Sequence, residues 1–223
     1  MWRDTWLIAG KDLRIEIRSR VITNQVIPFG GLVLILFAFA LDADPATLQK
    51  VGGGLFWVAV LFASVLAVQR SASLESTDGA GEGIRLAGVD PAGIFLGKAL
   101  AVIAQLLVLE IVLSAGVVFL YHLDLRGLPV LAAACLMGTV GLASAGTAYA
   151  ALSSSTRVRE TLLPLLFLPV VSPVLLAATR AWQLTLEGHA GQGAPWLRIL
   201  GAFSVIYCVI GAVLYESILE TSS

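Results

Sequence analysis

The chain has 223 residues, of which 58% are hydrophobic and 13% charged, with a mean hydropathy of +0.91. Soluble domains carry roughly 45–50% and about 25%, and a chain of this size cannot hide so much apolar surface from water, so a soluble fold is excluded and a membrane protein implied. The net charge of −1 conceals an uneven layout, and no basic block interleaved with aromatics is present, so nucleic acid is not an expected partner.

Residues 1–20 carry eight charges: Arg3, Asp4, Lys11, Asp12, Arg14, Glu16, Arg18 and Arg20. A secretory signal, with its short basic patch and apolar core, does not look like this. Trp2, Trp6, Leu13 and Ile17 recur at helical spacings on one stripe, while Arg3, Lys11, Arg14 and Arg18 share a basic face. The pattern predicts an amphipathic cytoplasmic helix over 1–20 that lies in the membrane surface, its cations near anionic lipid headgroups. It reads either as a positive-inside anchor or as a docking surface for a cytoplasmic partner.

A membrane-spanning helix needs about 20 mostly apolar residues. Runs at 21–41, 51–69, 99–121, 127–156, 161–179 and 199–215 meet that requirement and are charge-free except for Glu110. They predict an all-α membrane protein: six transmembrane helices in one domain, 21–219, behind the amphipathic helix. With an even number of spans both termini share a side. That side holds ten Lys and Arg against four on the other, which predicts cytoplasmic termini.

The longest cytoplasmic connection is the loop at 70–92. Its glycines and Pro91 forbid one regular helix, leaving room for a short one around 74–77. Glu110 stands deep in the third span, where a charge costs at least ~2.5 kcal/mol, so it is expected to face the bundle interior or to be protonated. It reads as a substrate-path ligand, as a proton relay, or as a structural hydrogen-bond partner of Gln105 or of a serine in the fourth helix.

Tyr121 and His122 close the third span on the outer side. His122 reads as an axial haem ligand, since neutral imidazole binds iron, or as a plain interfacial residue; His189 is read the same two ways. In the fourth span, Ala134/Gly138 and Gly141/Ala145 suggest close helix contact. Pro164, Pro169 and Pro173 predict a bent or broken fifth helix. The outer segment 181–198, with Trp182, Gly188, Gly191, Gly193 and Pro195, is expected to be an interfacial or re-entrant piece.

Catalytic patterns are missing. Cys135 and Cys208 lie in apolar runs, so neither a disulfide framework nor a metal site is expected. There is no HExxH, nucleophile elbow or dinucleotide loop. The stretch AGIFLGKA at 92–99 has Ala where a phosphate loop needs its first Gly and its final Ser or Thr. The chain is not expected to be an enzyme, to hydrolyse ATP itself or to bind a cofactor tightly.

The opening KDLRIEIRSR at 11–20 resembles the start of the haem exporter protein B family of cytochrome c maturation, CcmB. So do Phe56-Trp57-Val58-Ala59, Gln69-Arg70-Ser71 and Asp78-Gly79-Ala80. The most specific stretch runs through Glu82-Gly83, Leu86-Ala87, Val89-Asp90, Phe95-Leu96-Gly97-Lys98 and Leu107-Val108-Leu109-Glu110. Gly81 and Gly88 depart from the Leu and Pro often found in the family and loosen the loop.

The resemblance implies a permease subunit of ABC-2-like architecture in the bacterial inner membrane. Two copies would bind two copies of a separate cytoplasmic ATPase, CcmA, beside the haem-handling partners CcmC, CcmD and CcmE, with haem as substrate. Coupling to the ATPase would fall on Glu75, Asp78, Gly79, Glu82 and Gly83. Tyr121 and His122 would contact haem or a haem-loaded partner outside. A proton-coupled carrier using Glu110 and a non-transporting scaffold of a haem-handling complex are the alternatives.

Overall fold

Asp44-Pro45 and Asp90-Pro91 start the first two long helices by the same device. Asp44 Oδ2 accepts the Thr47 N–H at 2.9 Å and Asp90 Oδ1 accepts the Ala92 N–H at 3.0 Å. Proline takes the first helical position, where its missing N–H is not needed. The computed structural model describes residues 1–20, 22–41, 44–76, 88–121, 127–152 and 159–221.

Among them are seven α-helices: α1 (Trp2–Ser19), α2 (Ile27–Ala40), α3 (Pro45–Ser76), α4 (Pro91–Tyr121), α5 (Leu128–Leu152), α6 (Arg159–Leu186) and α7 (Ala190–Thr221). A π-helical turn, Ile22–Val26, leads into α2. The described residues contain no strand.

Helices α3 to α7 supply five segments long and apolar enough to cross a membrane. Trp2–Ser19 and Asn24–Ala40 form a pair bent by 57°, which makes six if the pair counts as one span. The chain is therefore an all-α, multi-pass membrane protein. The run at 21–41 is not a straight span. Arg20 ends α1 in the left-handed conformation (φ 53°), the π turn follows, and only 14 residues continue as α2. A π insertion of this kind is a known cause of sharp helix bends.

Three other expectations change. Residues 70–76 are the last two turns of α3, and α4 already begins at Pro91, so the connection is shorter than 70–92. The fifth helix is not broken: α6 runs unbroken through Pro164, Pro169 and Pro173. Pro173 has no N–H for the Pro169 carbonyl, and Ser172 Oγ donates to that oxygen instead, at 2.8 Å. Segment 181–198 is not a separate piece: its first residues end α6, which extends to Leu186, and its last ones begin α7, which starts at Ala190. Gly188 (φ 83°) closes the turn, with its N–H on Thr185 O and the His189 N–H on Leu184 O. This is a Schellman stop, which needs a residue at positive φ.

In a bilayer, lipid is as apolar as leucine, so close packing and interhelical hydrogen bonds must hold the helices together. Helix α5 is the centre and contacts α3, α4, α6 and α7. Its small residues make this possible: Gly138 lies under the Trp57 ring, and Gly141 meets Val174 of α6 and Ser204 of α7. Ala134 and Ala145 are buried as well. Ser204 Oγ lies 2.6 Å from Met137 O, Trp182 Nε1 donates to Leu131 O, and Tyr207 Oη donates to Val170 O. Phe56 stacks on Trp182 with centroids 4.2 Å apart. Helix α2 packs on α3 and α4, whereas α1 packs on α4.

Candidate functional site

Helix α1 meets α4 on a face that its aromatic stripe does not reveal. Trp2, Trp6 and Ile17 are exposed, while Thr5, Ile8, Ala9, Asp12 and Glu16 are buried. These five lie at helical spacings and form one stripe. Two glycines of α4 let the helix approach: a Cβ at Gly93 would sit 3.1 Å from Met1 O, and one at Gly97 only 2.8 Å from Thr5 O and 2.7 Å from Ile8 Cβ. The glycines of the AGIFLGKA stretch therefore serve helix packing.

At the end of this seam lies Lys98, only 3% exposed. Its Nζ is 3.7 Å from Asp12 Oδ2, and Lys11 Nζ is 3.2 Å from Asp12 Oδ1. On its other side Lys98 lines a cavity of about 10 Å³, the size of one water, with Ser71 of α3, Thr147 of α5 and Tyr215 of α7. Tyr215 packs on Phe95, with centroids 5.6 Å apart, and Phe95 lies against Gly211. Lys98 thus lies between Asp12 of α1 and a cavity lined by α3, α5 and α7. It stands seven residues after Pro91, where α4 leaves the α3–α4 connection. At the same end, the Met1 amine lies 3.1 Å from Asp4 and 3.5 Å from Asp90. Its hydrogen bond to Asp4, with the charges of Asp4 and Asp90, raises the pKa of this amine, against a smaller opposing effect of desolvation.

The residues expected to matter are distributed unevenly. Glu75 falls in the last turn of α3, with its side chain outside the described residues. Asp78, Gly79, Glu82, Gly83 and His122 also lie outside them. Arg14 and Arg18 are exposed on α1, and Lys11 is half-buried on Asp12. His189 is exposed in the α6–α7 turn. Tyr121, expected at the outer surface, is fully buried, and its hydroxyl donates to Leu34 O of α2 at 2.8 Å. Its phenol thus joins α4 to α2.

Glu110 is 2% exposed and faces the bundle interior, where its Oε1 accepts the Thr139 hydroxyl of α5. That partner is a threonine, in place of the expected Gln105 or serine of the same helix. The Cys135 thiol is also within its reach, and Oε2 has no hydrogen-bond partner among the described residues. No cluster of three or more His, Cys, Asp or Glu able to hold a metal occurs among the described residues. Among the described residues, polar groups gather at a junction at one end of the bundle and at one buried carboxyl inside it. Asp12 and Glu16 escape a reading of the sequence because they interrupt neither stripe of α1; the i, i+3, i+4 series 5, 8, 9, 12, 16 is the signal that marks them.

Comparison with known proteins extends over nearly the whole chain. The family model described as "CcmB protein" matches residues 3–221. The chain is 30% identical over 200 residues to the heme exporter protein B of Pseudomonas aeruginosa, covering 89% of this chain and 90% of that protein. It is likewise 30% identical over 204 residues to the heme exporter protein B of Bradyrhizobium diazoefficiens, covering 92% and 91%. The protein of the same description from Paracoccus denitrificans is 30% identical over 184 residues, covering 81% and 82%.

Proposed function

Since this chain belongs to the CcmB family, we propose that it is the permease subunit of an ABC transporter that exports haem, or releases a haem-loaded chaperone, during c-type cytochrome maturation. A separate cytoplasmic ATPase drives it, and two copies of the chain work together beside haem-handling membrane partners of the CcmC, CcmD and CcmE kinds. Haem is substrate here, not a resident cofactor. The protein sits in the bacterial inner membrane with both termini in the cytoplasm. The named relatives support the haem reading, and the ten-to-four bias in Lys and Arg supports the orientation.

The observation that carries the coupling is the Lys98 junction. A permease without a phosphate loop must take its energy from outside and needs a stiff base under the surface that is pushed. Residues 77–90 connect α3 to α4, and Lys98 bridges from α4 to Asp12 and to the cavity shared by α3, α5 and α7. Force delivered to that connection by a closing ATPase dimer therefore reaches five helices within about two turns of α4. The acidic residues Glu75, Asp78 and Glu82 are suited to pair with cations of such a partner. The outer ends of the helices then change how they meet a haem-loaded partner.

The test is to purify the tagged chain in mild detergent and measure ATP hydrolysis by what comes with it. A stoichiometric P-loop ATPase, uncoupled by Glu75→Lys with Glu82→Lys, is expected. Recovery of the chain with haem proteins but no ATPase overturns the reading and favours a scaffold. One observation favours a proton-coupled carrier: Glu110 Oε2 lacks a hydrogen-bond partner among the described residues. A carrier would keep working when the loop is altered.

A further inference from the structure

Where α1 turns into α2, a cavity of about 510 Å³ lies between that bend and the middle of α4. Its volume is in the range that takes small ligands. Leu13 and Ile17 of α1 and Ala104 and Val108 of α4 give it an apolar wall. Arg20, Asn24 and Gln105 bring polar groups to the same space, with the buried Glu16.

Arg20 is the one described residue other than glycine with positive φ, 53°. A side chain disfavours that conformation, and such strain gathers at ligand sites and switches. The neighbouring π turn is another feature that recurs at functional sites.

Depth and charge indicate the occupant. Helix α4 has 31 residues, about 45 Å, against roughly 30 Å of hydrocarbon. The surplus belongs at the α1 end, where Lys98 and the arginines are, because residues 111–121 are charge-free. Gln105, about 21 Å along α4 from Pro91, then stands near the boundary between headgroups and acyl chains. Ile17, Val108 and Ile111 are exposed there. The last turns of α1 carry Lys11, Arg14, Arg18 and Arg20 against Asp12 and Glu16, and Asp12 is already paired with Lys11 and Lys98.

We propose that this cavity binds an acidic phospholipid, with its phosphate on Arg20 and an acyl chain against Ile17, Ala104 and Val108. Basic pockets between membrane helices select such headgroups, and the half-apolar wall favours a bilayer lipid over an aqueous anion. The site does not depend on what the protein exports.

The test uses the full chain in detergent, titrated with phosphatidylglycerol or with phosphatidylcholine of the same acyl chains and read by native mass spectrometry. Arg20→Gly removes the guanidinium while suiting the backbone, since glycine accepts positive φ freely. Phosphatidylglycerol should then bind about 10- to 100-fold more weakly, with phosphatidylcholine little changed. Ala104→Trp, which fills the cavity, should abolish the preference. Unchanged phosphatidylglycerol binding in both variants overturns the site, as does equal binding of the two lipids by the unaltered chain. If a variant fails to fold, exchange on the unaltered chain decides: phosphatidylcholine displacing bound phosphatidylglycerol at equal concentration overturns it, and retention supports it.

Discussion

Lys98 and Asp12, on different helices and 3% and 6% exposed, hold their charges 3.7 Å apart at the end of the bundle where the α3–α4 connection enters α4. Removing one partner of such a pair leaves the other buried without compensation, which typically costs about 3–5 kcal/mol. Lys98→Met should fall toward the low end, because Lys11 still reaches Asp12. Unfolding in detergent measures this. Adding Asp12→Leu to Lys98→Met should restore part of the loss, since the orphaned charge goes too.

Gly97 tests the α1 seam by shape alone. A Cβ there meets the Thr5 carbonyl at 2.8 Å, and backbone cannot move aside as a side-chain tip can. Gly97→Val should push α1 off α4 at a cost of about 1–3 kcal/mol, despite valine's better helix propensity than glycine's. Limited proteolysis should release α1 slowly in the unaltered chain and quickly in the variant. Equal rates would remove the seam from the argument.

The long apolar runs are legible in the sequence because a helix inside lipid must be apolar over a full span, and the rule leaves little freedom. Caps are less legible: the sequence reads Pro91 only as a breaker in the loop and Gly188 only as part of an outer segment, whereas Pro91 starts α4 and Gly188 stops α6. The buried face of α1 is harder. Its buried stripe mixes Thr5, Asp12 and Glu16 with Ile8 and Ala9, while its tryptophans are turned outward, which reverses the rule for a helix in water. The prolines of α6 mislead for a related reason. A proline breaks a helix when the freed carbonyl finds no donor, and Ser172 supplies one for Pro169. Tyr121 looks like an interfacial residue because its carbonyl partner, Leu34, lies 87 positions away.

Glu110 separates a carboxyl that holds helices together from one that carries protons. Glu110→Gln keeps an oxygen for the Thr139 hydroxyl and should leave transport within about twofold, since an amide carbonyl accepts the same bond. Glu110→Leu and Thr139→Val should each destabilise the bundle by about 1–3 kcal/mol, the cost of a buried polar group without its partner. Loss of transport in Glu110→Gln with unchanged stability would establish the proton-carrying role instead.

Tyr121 offers the same separation at the other end of α4. Its hydroxyl links α4 to α2, a peripheral helix whose buried residues are Gly30 and Leu34. Interhelical hydrogen bonds within membranes average about 0.6 kcal/mol in double-mutant measurements. Tyr121→Phe should therefore lower stability by about that much and leave transport intact, because the ring still fills its buried site. Unfolding midpoint and transport rate, taken on the same preparation, decide between packing and recognition. A large fall in transport with no fall in stability would mean that the phenol turns outward during the cycle and meets the substrate or a partner directly.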